Sequence, residues 1–210
     1  MTMEITGRQT KKGENTKRRL YETAVALFEK TDFDKVSVDA IVKAAGVAKG
    51  TFYIYFESKD AMILSLLTEY VQNIDSDYKA HIDSLPEGTS ASDMLISLLA
   101  KIVDILTDKI GYDRMRIVYK LQLTETNFME VVKGYNRELY QIFTYVLGLG
   151  MEHGEFRKDI PLDTLTKHFV MAIRGLSYEW CIRFPDFDLK ENVLMHFELL
   201  LSGIKTNKDE

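Results

Sequence analysis

Apolar residues recur every three or four positions along almost the whole 210-residue chain. That spacing is the period of a helix with one buried face. Over 14–31 the stripe is Leu20, Ala24, Leu27 and Phe28; over 58–84 it is Ile63, Leu66, Leu67, Tyr70, Val71, Ile74 and Tyr78. The second of these can run ~40 Å at ~1.5 Å per residue, long enough to link a head to a body. Leu162, Leu165, Phe169, Ile173, Leu176 and Trp180 step in the same way, as do Leu189, Val193, Phe197, Leu200 and Ile204. No stretch alternates with period two, and no Asn-Gly or Asp-Gly hairpin signal occurs. The pattern predicts an all-α fold of about nine helices, near 14–31, 37–44, 48–54, 58–84, 90–108, 112–122, 125–153, 162–183 and 188–204. Pro86, Pro161 and Pro185 all fall between these segments, where a missing N–H breaks no helix bond.

The boundaries have chemical causes. Ser37 and Ser58 are placed to cap helix starts through their hydroxyls. Ser90-Ala-Ser-Asp93 has capping-box spacing, with Asp in place of the usual Glu. Gly46 falls where a tight turn needs positive φ, and Gly154 suits the position after a helix end. The first stripe can pack on Ile41, Ala45, Val47, Phe52 and Phe56 as a small three-helix core. The expected organisation is a flexible basic arm at 1–13, a helix-turn-helix domain at 14–57 and a larger helical body at 58–210.

Residues 37–59, SVDAIVKAAGVAKGTFYIYFESK, read as two short helices joined by a tight turn, the arrangement of a DNA reader. Phe52 and Phe56 share one face of the second helix and anchor it; Lys49 and Tyr53 share another. Gly50 keeps the backbone lean for close approach to a surface. Lys49 and the helix-start N–H groups suit phosphate or guanine acceptors, and Thr51 suits a thymine methyl or a phosphate. Tyr53 and Tyr55 can reach phosphates through their hydroxyls. The plain alternative is that both tyrosines pack in the core, since helix pairs with short turns serve many purposes.

Net charge is −5, which on its own disfavours a polyanion partner. The distribution changes that picture. Residues 1–60 hold 11 Lys and Arg against 9 Asp and Glu, whereas the rest holds 16 against 23. Lys11, Lys12, Lys17, Arg18 and Arg19 form the densest basic cluster, and Lys17 is counted among the candidate DNA contacts. Without a reader after it, this cluster is a solvated tail. The acidic body discourages non-specific coating of DNA. One cysteine, Cys181, excludes an internal disulfide and a Cys-rich zinc site, leaving a small buried hydrophobe or a reactive thiol. No apolar run approaches the roughly 20 residues of a membrane span, and no signal-peptide h-region is present, so a soluble cytoplasmic protein is expected. Enzyme motifs are lacking: there is no G-x-S-x-G, H-E-x-x-H or P-loop, and His81, His153, His168 and His196 lack metal-ligand spacing. Neither an enzyme, a cofactor nor a metal is expected.

Residues 15–67 resemble the N-terminal domain of the tetracycline-repressor (TetR) family of bacterial regulators. The matching residues are Ala24 and Phe28, then Val36-Ser37-Val38 with Ile41, Ala45-Gly46-Val47, Lys49-Gly50-Thr51-Phe52-Tyr53-Ile54-Tyr55-Phe56, and Ser58-Lys59-Asp60-Ala61-Met62. Asp34, Val42 and Lys43 depart mildly from the family pattern. The resemblance implies that Lys49, Gly50, Thr51 and Tyr53 face the major groove. It implies backbone contacts from Ser37, Val38, Tyr55 and Lys59. It does not carry over a base preference.

For the body, the resemblance implies a homodimer in which the last two helices pair with their copies. Leu165, Phe169, Ile173, Leu176, Trp180, Val193, Phe197 and Leu200 are the candidate interface, with an ordinary intrachain core as the alternative. It also implies a small-molecule pocket, for which Tyr112, Met115, Tyr119, Phe128, Tyr135, Phe143, Met171 and Tyr178 are candidates. Aromatic and Met walls suit an apolar or flat ligand. The expected function is a ligand-responsive repressor that binds a palindromic operator as a dimer and is released by a small apolar or aromatic effector. The alternative is a helical interaction or small-molecule-binding module without sequence-specific DNA binding.

Overall fold

The computed structural model describes residues 3–31, 35–124 and 137–206. The extended elements among them are helical: α1 Met3–Lys30, α2 Val38–Ala45, α3 Lys49–Tyr55, α4 Lys59–Asp83, α5 Ala91–Asp104, α6 Tyr112–Thr124, α7 Glu138–Glu152, α8 Leu162–Arg183 and α9 Leu189–Ile204. The expected helix at 90–108 is two pieces, α5 and a π-helical stretch Ile105–Ile110 that Gly111 closes. The first part of the expected helix at 125–153 lies outside the described residues, with Phe128 and Tyr135. Among the described residues no helix is long and apolar enough to cross a membrane.

Two features bear on the expected organisation. Residues 3–13, expected within a flexible basic arm, are the first part of α1. The chain divides into compact units between Glu69 and Tyr70 rather than at 57/58. The cause is packing: Met62 and Ile63 at the start of α4 are buried in the N-terminal unit, and the Tyr21 hydroxyl donates to Ser65 Oγ at 2.7 Å. Leu20, Ala24 and Phe28 of α1, Val36, Ile41, Val42 and Ala45 around α2, and Phe52 and Phe56 complete that core. Leu27 and Val47, expected within it, are half-buried.

In the second unit α5, α7, α8 and α9 bury Leu95, Leu98, Leu99, Phe143, Val146, Phe169, Val170, Val193 and Phe197. The Phe169 ring lies 6.3 Å from Phe143 and 5.4 Å from Phe197. Each such side chain contributes ~1.5–3 kcal/mol gross on leaving water. This core takes up most of the residues expected at a dimer interface. Leu165, Phe169, Ile173, Trp180, Val193 and Phe197 point into the chain's own interior, each 5% exposed or less, and Leu176 and Leu200 are half-buried. Helices α8 and α9 are apolar on more than one face, and their bulkiest stripe closes the core. The exposed apolar residues are Met171, Tyr178 and Ile182 on α8 and Met195 and Leu199 on α9.

The turn after α7 organises one end of this unit. Gly154 takes φ 73°, as a left-handed helix stop requires. The Glu155 carboxylate then accepts the Ala91 and Ser92 N–H groups at 2.8 and 2.9 Å, so it caps α5 together with the Ser90 hydroxyl, which accepts from the Asp93 N–H. Phe156 is fully buried against Gly150, where an added Cβ would stand 2.1 Å from its ring.

Candidate nucleic-acid interface

The reader is built by local chemistry. Ser37 caps α2 by accepting the Ala40 N–H at 3.1 Å. Gly46, at φ 64°, ends it, with its own N–H bonded to Lys43 O and that of Val47 to Val42 O. The chain re-enters helix at Lys49 after Ala48, which supplies no side-chain cap. Phe52 is fully buried and Phe56 nearly so, their rings 5.5 Å apart, and the Tyr21 ring packs at a tilt against Phe56 at 5.1 Å. These contacts fix the roll of α3. Lys49, Gly50 and Tyr53 are therefore exposed, Tyr53 by 51%, and Thr51 is half-buried.

The expected backbone contacts differ among themselves. Ser37 is exposed and Val38 half-buried at the start of α2. Tyr55 is half-buried, its hydroxyl close to Gly13 of α1. Lys59 turns inward, donating to the Val36 carbonyl at 3.1 Å, because the loop before α2 presents that oxygen at the start of α4. Lys17 lies over the Tyr21 and Phe56 rings, with centroids at 5.5 and 5.9 Å. Two features were not singled out from sequence. Ile54 is 75% exposed beside Tyr53. Asp39 of α2 binds the Lys49 ammonium, with Oδ1 at 2.8 Å and Oδ2 at 3.0 Å. That hydrogen bond, with the carboxylate's charge, raises the Lys49 pKa and keeps the ammonium protonated. The helical period puts Asp39 at the start of α2, but the meeting with Lys49 is made by the turn.

The described candidate ligand residues lie in different surroundings. Phe143 and Met115 are core. Tyr119 is half-buried, its hydroxyl donating to the Arg174 carbonyl at 3.2 Å and its ring edge-on to Tyr178; its withdrawal from water pushes its pKa up. Tyr178 and Met171 are exposed. Tyr112 lines a cleft of about 510 Å³, with Thr107, Trp180, Phe184, Pro185, Phe187, Asp188, Leu189 and Lys190. Tyr112 stacks on Phe184 at 4.0 Å, and Trp180 meets both rings edge-on. Among the described residues no group of three or more His, Cys, Asp or Glu is placed to hold a metal ion.

A capped helix, a glycine turn and a second helix anchored by aromatics with its outer face exposed define a helix-turn-helix DNA-binding regulator of transcription. Residues 20–66 match the profile described as bacterial regulatory proteins, tetR family. The chain is 26% identical to the fatty acid metabolism regulator protein of Bacillus subtilis, over 89% of this chain and 94% of that protein. Its fold is shared with FadR from Bacillus subtilis in complex with stearoyl-CoA (TM-score 0.74, 23% identity, 89% and 98% of the two chains). It is shared too with Thermus thermophilus FadR in complex with lauroyl-CoA (TM-score 0.66, 20% identity, 91% and 96%). The match to the tetR family of bacterial regulatory proteins thus spans the reader and the start of α4, residues 20–66.

Proposed function

We propose that the chain represses transcription as a homodimer that grips a palindromic operator and releases it when a long-chain acyl-CoA binds the body. The observation that carries the DNA reading is the outer face of α3. Lys49, Gly50 and Tyr53 are exposed although an aromatic anchor holds their helix. Gly50 has no positive φ, and nothing lies within 4 Å of where its Cβ would stand. Alanine there would favour the helix by ~1 kcal/mol, so the glycine answers to a surface outside the chain. Lys49, Gly50, Thr51 and Tyr53 enter the major groove, with Ser37, Val38 and Tyr55 at the phosphates. A module without DNA binding has no use for this face.

Dimerisation is supported by Met171, Tyr178 and Ile182 with Gly175 on α8, which fall on one exposed face, and by Met195 and Leu199 on α9. Pairing these faces about a two-fold axis makes a four-helix interface. It sets two heads against half-sites about ~34–36 Å apart, or a multiple. The two ligand-bound fold neighbours support the effector class. An acyl chain matches the apolar character of the cleft formed by Tyr112, Trp180, Phe184, Phe187 and Leu189. Effector binding favours a body conformation of lower operator affinity.

The test selects duplex DNA from a random pool with the full chain, then follows binding by fluorescence anisotropy. Affinity is expected to fall steeply with salt, to vanish in Lys49→Ala plus Tyr53→Ala without change in circular dichroism, and to drop by roughly 5–150-fold with stearoyl-CoA. Failure to enrich any sequence removes the DNA reading. Stearoyl-CoA that raises the melting temperature but leaves affinity unchanged removes the release step alone.

A further inference from the structure

We infer that Asp39 is a specificity-determining residue, which holds Lys49 as a neutralised and pre-aimed donor and so separates operator bases from anonymous phosphates. The inference rests on the reading of α3 as the DNA-facing helix. Asp39 is the second residue of α2 and Lys49 the first of α3, so the pair bridges the two helices of the reader. Both side chains are largely exposed, 69% and 54%, and burial does not force them together. The ammonium nevertheless engages both carboxylate oxygens, at 2.8 and 3.0 Å. An exposed pair of this kind adds little to stability. A carboxylate on the face that meets phosphates is, moreover, repelled by every DNA sequence alike.

What the carboxylate gives in return is selectivity. A lysine ammonium is a point charge on a flexible stem with three donor hydrogens. Left alone it finds whichever phosphate is nearest and adds one charge to sequence-independent binding. Beside Asp39 its charge is offset, and that contribution is cancelled. Its stem is also held in one place, with a donor hydrogen left over for an acceptor in the groove such as guanine O6 or N7. Binding to arbitrary DNA is weakened, while a base-directed bond is kept.

The experiment uses the full chain, a duplex selected by the wild type and a scrambled duplex of equal length, across a range of salt. Asp39→Asn is expected to bind the scrambled duplex more tightly and to lower the ratio of selected to scrambled affinity by about tenfold. Its salt dependence on the scrambled duplex should steepen by about one unit of log–log slope. Asp39→Glu, which keeps the charge, should stay near the wild-type ratio. In a Lys49→Ala background, Asp39→Asn should change the ratio little. An unchanged ratio in Asp39→Asn overturns the inference, as does an equal loss on both duplexes, which would mark Asp39 as a helix-start residue only. The same fall in the Lys49→Ala background overturns it too, since Asp39 would then act without Lys49. Lys49→Ala that binds the selected duplex as wild type refutes the underlying placement of α3, a separate and recognisable result.

Discussion

Arg137 clasps Asp75 with two donors, Nε at 2.8 Å from Oδ2 and Nη2 at 2.7 Å from Oδ1. The carboxylate is 2% exposed and also lies 3.4 Å from the Leu139 N–H, so the start of α7 is tied to α4. A carboxylate withdrawn from water is tolerable only when its oxygens are paired. Arg137→Ala strands it, and urea unfolding is expected to show a loss of ~3–5 kcal/mol. Asp75→Leu with Arg137→Met removes both charges and should recover much of that. A double variant as unstable as the single one would mean that the charges themselves are not the issue.

The cap on α5 is contributed from the far side of the sequence. Glu155→Gln weakens the bonds to Ala91 and Ser92 and removes a charge favourable at a helix start. A loss of ~1 kcal/mol is expected. Gly150→Ala is the harsher change, because Phe156 is fully buried and has no room to retreat. It should cost ~1–3 kcal/mol by overpacking. Thermal melts of the two variants give the order directly.

Core and interface on α8 and α9 separate by substitution. Met171→Lys and Leu199→Lys alter exposed positions and should leave the melting of the chain near wild type while shifting sedimentation towards monomer. Phe169→Ala opens the buried core and should cost ~3–5 kcal/mol of stability. Lysine variants that remain dimeric would move the interface elsewhere.

Cys181 is predicted to be a sluggish thiol. Burial pushes its pKa up to about 11, only partly offset by the charge of Arg116. The raised value favours the neutral form, and the thiolate is the reactive one. At pH 8 only ~0.1% is ionised. Alkylation should be roughly a hundredfold slower than for an exposed thiol of ordinary pKa, and should climb about tenfold per pH unit up to about 11. Fast labelling at pH 8 would contradict this protonation state.

Where a signal is local, the sequence carries it. Ser37, Ser58, Ser90, Gly46 and Gly154 mark helix ends because a cap or a left-handed turn involves only a few neighbouring residues. The reader is legible for the same reason: its anchor, its turn and its outer face fit within 37–59. Helical class follows from period alone. Period does not say which face of a helix is covered when several faces are apolar, and so six of the residues expected at an interface on α8 and α9 lie in the chain's own core, with Leu176 and Leu200 half-buried. Nor does it reveal partners distant in sequence. Asp75 with Arg137, Glu155 with Ala91, and Asp39 with Lys49 meet only once the chain has packed, because pairing there depends on the positions of whole helices. The sequence by itself determined an all-α regulator with a helix-turn-helix reader; the tertiary structure decided which faces stay exposed and which charges are already spoken for.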